Sequence, residues 1–116
     1  MILKNFKYKS KVGDTMIDSE LLQEVKRYAR LDDTGDKEWD TLVNEEVKIL
    51  ILSAEKFLWS HGVKKDYENE LYKIAIFMLV SIWYDNRGLG EQAREIPFGV
   101  TRIIRQLNIM NDYGTI

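Results

Sequence analysis

His61 is the only histidine in the chain, so any nucleophilic triad or multi-histidine zinc site would have to be built around it. Its surroundings, Trp59-Ser60-His61-Gly62, contain neither a G-x-S-x-G nor an H-E-x-x-H pattern. With a glycine next to it, His61 reads as a residue at a helix C-terminus, where its partial charge suits the dipole. Asp32-Asp33-Thr34-Gly35-Asp36 offers the oxygen ligands that calcium prefers. Counted from Asp32, however, glycine is fourth and Val43 takes the twelfth place, whereas an EF-hand needs glycine sixth and glutamate twelfth. A turn leading into a helix N-cap explains these residues better. The neighbouring carboxylates Glu45-Glu46 diverge by about 100 degrees on a helix and cannot share acid–base work. The glycines form no G-x-x-x-x-G-K-S/T phosphate loop, and with no cysteine there is no disulfide or thiolate chemistry. The expectation is a protein that is not an enzyme, with no catalytic residue, metal site or cofactor.

What remains is chemistry of surfaces. Lys and Arg total 17 against 19 Asp and Glu, a net charge of −2, which argues against tight nonspecific DNA binding by a monomer. A local basic stripe is still compatible with that balance. Hydrophobic residues make up 45% and charged residues 31%, the balance of a single folded domain. The apolar run from Ile74 to Tyr84 is too short for a spanning helix, which needs roughly 20 residues, and Met1-Ile2-Leu3-Lys4-Asn5-Phe6-Lys7 lacks the apolar core of a signal peptide. No membrane association is expected.

The elements that position the surface residues follow from periodicity. Residues 1–17 place Lys4, Lys7, Lys9 and Lys11 among Phe6, Tyr8 and Val12, a pattern for an extended arm or edge strand with one apolar face, with a solvated tail as the alternative. A first helix runs from an Asp18 or Ser19 cap to about Leu31. A long second helix runs from near Asp36 to His61, stopped by Gly62, with a break near Ser53 as the alternative. Its stripe comprises Trp39, Leu42, Val43, Val47, Leu50, Ile51, Ala54, Phe57 and Leu58, widened by Ile49 and Leu52. A third helix spans about Tyr67 to Arg87 and is apolar nearly all round, which suggests that part of it meets another subunit. Arg87 complements its dipole and Gly88 supplies a left-handed cap. After a loop over 88–96, a fourth helix covers about Phe98 to Leu107, with Arg102 and Arg105 outward, and residues 108–116 form a tail. The expected fold is all-α: a small bundle of about four helices with one long helix, plus the arm, residues 18–107 making the domain.

Two blocks carry a family likeness: Leu79-Val80-Ser81-Ile82-Trp83-Tyr84-Asp85-Asn86-Arg87, and Ile96-Pro97-Phe98-Gly99-Val100-Thr101-Arg102-Ile103-Ile104. With the capped first helix from Ser19 and the Ala54-Glu55-Lys56-Phe57-Leu58 end of the second, they resemble the small helical head–tail connectors of tailed bacteriophages, over roughly residues 17–107. The resemblance implies a head-completion adaptor, also described in that family as a DNA-packaging protein. Such proteins form a ring, expected to be dodecameric, beneath the portal; it extends the DNA channel and receives the tail or a second connector. It further implies nonspecific contact with packaged DNA, and a place at the head–tail interface of the virion after assembly in the host cytoplasm. Candidate interface residues are Phe6, Tyr8, Trp83, Tyr84, Arg87, Pro97, Phe98 and Tyr113. The arm has no counterpart in many relatives. The alternative reading is a small helical DNA-binding regulator, although no helix-turn-helix pair stands out.

Overall fold

A computed structural model of the protein describes residues 17–86 and 96–114, apart from the side chains of 111–114. The described residues form four helices and no strand, a small all-α bundle: α1 (Ser19–Ala29), α2 (Lys37–Ser60), α3 (Glu70–Asp85) and α4 (Phe98–Gly114). The proposed arm, Arg87 and most of the loop before α4 lie outside the described residues.

The first three helices start where a side chain can take an unpaired backbone N–H. Asp18 accepts from Glu20 N at 3.1 Å, and Asp36 accepts from Trp39 N at 3.2 Å. The third helix begins at Glu70, not near Tyr67. Asn69 is its cap, with Oδ1 accepting from Leu71 N at 2.8 Å, and the preceding residues turn around Asp66, whose Oδ1 accepts from Glu68 N. At the start of α4 the Pro97 carbonyl accepts from Val100 N and Thr101 N at 3.0 and 3.2 Å. Proline needs no donor of its own there.

The helix ends are equally specific. α2 is continuous past Ser53 and closes on Gly62 with φ 86°. Val63 N donates to Leu58 O at 2.9 Å and Gly62 N to Trp59 O at 3.0 Å, the paired bonds of a Schellman motif. Val63 is buried beneath this turn. α1 ends the same way without a glycine: Arg30 sits at φ 62° while Leu31 N donates to Lys26 O at 2.8 Å. Its helical part therefore stops at Ala29, two residues before the expected Leu31. α4 continues through Gly114 instead of ending at Leu107. Asn108 gives the extra turns a tertiary anchor, because its Nδ2 donates to His61 O at 3.1 Å.

The core is organised around α3, which packs against each of the other three helices. Val47, Ile51, Ala54 and Leu58 supply the α2 face, and Leu21, Leu22 and Val25 that of α1. Val100 and Leu107 supply the α4 face. Tyr72, Ala75, Ile76, Leu79 and Val80 of α3 meet them. Most of the apolar surface of α3 is taken up within the bundle, with Leu71, Phe77, Met78, Ile82 and Trp83 partly buried. Ile74, at 38%, is its only exposed large apolar side chain, since three helices suffice to wrap it. Gly99 allows α4 to approach closely; a Cβ there would come within 2.6 Å of Met78 Cε.

Candidate functional site

The residues with catalytic potential are occupied by structural bonds. His61 Nδ1 lies 2.9 Å from the Phe57 carbonyl, which can only accept, so Nδ1 carries the proton. Ser60 Oγ donates to that same carbonyl at 2.7 Å. Ser60 Oγ and His61 Nδ1 also lie 3.3 Å apart, and both close the helix on the one Phe57 carbonyl. The acidic turn behaves as expected. Asp40 accepts from Thr34 N at 2.9 Å, from Thr34 Oγ1 at 2.9 Å and from Gly35 N at 3.1 Å. The Thr34 backbone bond leads the effects that hold its carboxyl below the usual carboxylate range. Among the described residues, no group of three or more His, Cys, Asp or Glu side chains is placed to hold a metal ion. No helix among them is long and apolar enough to cross a membrane.

Two polar clusters escaped the sequence reading. Lys26, which periodicity assigns to the basic last turn of α1, is only 2% exposed. Its ammonium donates to Asp33 Oδ1 at 2.5 Å and to Asn44 Oδ1 at 2.7 Å, tying α1, the acidic turn and α2 together. The second cluster lies under the turn between α2 and α3. Tyr67 Oη donates to Glu55 Oε2 at 2.5 Å, and Lys65 pairs with Glu55 at 3.7 Å. The Tyr72 ring stands edge-on to Tyr67 at 5.1 Å, its buried hydroxyl without a hydrogen-bond partner among the described residues. Burial, reinforced by the Glu55 charge, pushes both phenols above their ordinary range.

The remaining candidate is an external surface. On α2, Leu42, Ile49 and Trp59 point away from the core and are exposed. On α4, Phe98 is 75% exposed and Ile109, about three turns further along, is exposed on the same side. Arg102 lies over the Phe98 ring at 5.9 Å, a cation–π arrangement. Arg102, Arg105, Ile103 and Ile109 line a shallow groove of about 470 Å³. A second hollow of about 340 Å³ lies by Glu20, Glu24, Tyr67 and Lys73, where Lys73 bridges to Glu24 at 3.2 Å.

Of the interface residues expected from sequence, Phe98 is exposed and Pro97 half-buried beside it. Trp83 is half-buried, edge-on to Phe57 at 6.1 Å. Tyr84 is 7% exposed and belongs to the core, so it offers no docking surface. Phe6, Tyr8, Arg87 and the Tyr113 side chain lie outside the described residues. The sequence reading also placed Leu42 and Ile49 on the inward stripe of α2. The signal that could have moved them outward was the width of that stripe, too broad for one buried face. No family model, curated protein or solved structure matches this chain, so its function is argued from this surface and from the motifs that build it.

Proposed function

We propose that the protein is a structural adaptor of a tailed phage or prophage: a ring-forming subunit that sits beneath the portal, completes the head and joins the tail. The observation that carries this reading is Phe98. It stands at the head of α4, inside the Ile96-Pro97-Phe98-Gly99 block on which the family likeness rests. The neighbouring positions bury Val100 and press Gly99 against Met78, while the largest side chain of the block points to solvent. A large aromatic held outward by a proline-started helix is suited to contact with another protein, where aromatics supply area at low entropic cost. The outward Leu42, Ile49 and Trp59 of α2 extend the apolar surface to a second helix.

Any contact with packaged DNA then comes from avidity, each subunit adding a few Lys or Arg contacts multiplied around the ring. The test is native mass spectrometry of the protein with a tailed-phage portal protein. Rings formed on the portal support the adaptor. A stable two-fold dimer that ignores portal overturns it, and nanomolar binding of a monomer to one short duplex at physiological salt replaces it with a DNA-binding regulator.

A further inference from the structure

The outer faces of α2 and α4 have the same spacing and opposite charge. On α2, Glu38, Leu42, Glu45 and Ile49 follow i, i+4, i+7, i+11 along the side facing away from the core. On α4, Phe98, Arg102, Arg105 and Ile109 follow the same intervals, also facing away from it. Each stripe has two apolar side chains and two charges, both acidic on α2 and both basic on α4. Glu45 also lies 3.6 Å from Lys48 Nζ in an exposed pair, which a docked arginine would have to share or displace. The pairing cannot form within one molecule, because both helices rest their buried faces on α3 and turn these stripes outward.

We propose that the acidic apolar stripe of α2 docks on the basic apolar stripe of α4 in a second copy of this chain. The contact deepens the adaptor reading and rests on it only for closure into a ring. Two helices offering ridges of equal spacing can interdigitate, while opposite charges fix which faces meet and disfavour like-with-like pairing. Since two different faces are used, the contact is head-to-tail. Repetition of such a contact closes a ring when the rotation divides a full turn; at 180° it closes as a reciprocal two-fold dimer, which would give a covalent dimer but no ladder from a chain bearing both cysteines. Phe98, with Arg102 already laid over its ring, is the anchor of the α4 side.

The chain contains no cysteine, which makes a cross-linking experiment clean. Ile49→Cys and Ile109→Cys are prepared as separate full-length variants, both at exposed positions, with circular dichroism confirming native helicity. The two are mixed and treated with a short bismaleimide, up to the highest soluble concentration and also on portal rings. The expected result is a covalent dimer in the mixture, none from either variant alone, and a ladder from a chain bearing both cysteines. In sedimentation, Glu45→Arg or Arg105→Glu alone should weaken self-association about five- to tenfold, with recovery in the double variant, in line with exposed pairs of modest strength. Cross-linking of Ile49→Cys with itself, absence of product under all conditions, or a double variant no better than the singles overturns the inference. If wild-type protein binds portal while the mixture gives no product, the pairing fails and the adaptor stands; product without portal binding leaves the reverse.

Discussion

Removing the Lys26 ammonium should disturb the protein less than removing the carboxylate that faces it. The Lys26 side chain is 2% exposed and its partner Asp33 is 59% exposed, so the pair is lopsided. In Lys26→Met the apolar stem keeps its packing, while Asp33 returns to water with little penalty. The charge-assisted hydrogen bonds lost, about 1.5–3 kcal/mol each, are offset by desolvation of several kcal/mol that the ammonium no longer incurs. The net change is within about 1 kcal/mol of zero. In Asp33→Ala the ammonium stays buried with Asn44 as its remaining partner. Stranding a fully buried charge costs about 3–5 kcal/mol; water entering from the Asp33 side reduces this to about 2 kcal/mol. At roughly 4 °C per kcal/mol for a domain of this size, Asp33→Ala should melt about 8 °C lower and Lys26→Met within about 4 °C of the parent. The double variant should resemble Lys26→Met. Urea and thermal melts of all three measure this, and a Lys26→Met that is clearly less stable than Asp33→Ala refutes the reasoning.

Tyr67 and Tyr72 both have folded-state values raised above the ordinary 10.0, chiefly by burial. Their contribution is therefore complete below pH about 10 and lost as pH rises further; alkaline melts should fall steeply, and less so in Tyr67→Phe/Tyr72→Phe. Tyr72→Phe alone should be neutral or stabilising by up to about 1 kcal/mol at pH 7, since it removes a buried hydroxyl without a partner; a loss above about 1 kcal/mol in urea melts contradicts this. Phe98→Ala should cost less than about 0.5 kcal/mol of stability, as for an exposed side chain, yet weaken self-association; a large fall in melting temperature would place the ring in the core. Arg30→Gly should raise stability by up to about 1 kcal/mol, because the residue holds a left-handed backbone at φ 62°, and an unchanged or lower urea midpoint argues against strain there.

The architecture was readable because periodicity and caps agree along most of the chain. Asp18, Asp36 and Gly62 mark boundaries by local chemistry that needs no tertiary partner, and Arg102 and Arg105 fall outside the α4 stripe by spacing alone. The misjudged features depend on tertiary context. Tyr67 stays out of α3 because Asp66 and Asn69 organise the preceding turn, and α4 outlasts Leu107 because Asn108 finds the His61 carbonyl. An apolar helix such as α3 looks equally suited to a core or a subunit contact until its neighbours are in place. The burial of Lys26 had no local signature, as a basic residue in a last helical turn ordinarily serves the dipole from the surface.

The central place of α3 has a consequence for how the chain is made. Synthesis delivers α1 and α2 first, and the helix on which both depend is third in order. At 5–20 residues per second, the interval between the end of α2 and the end of α3 is roughly one to five seconds. Through that interval the nascent chain carries the inward faces of Leu22, Val25, Val47 and Ile51 with no α3 to cover them. The bond from Lys26 to Asp33 and Asn44 lies wholly within the part already made. It can hold the first two helices side by side as a waiting cradle, so the ammonium that adds little to the finished bundle can still guide its assembly.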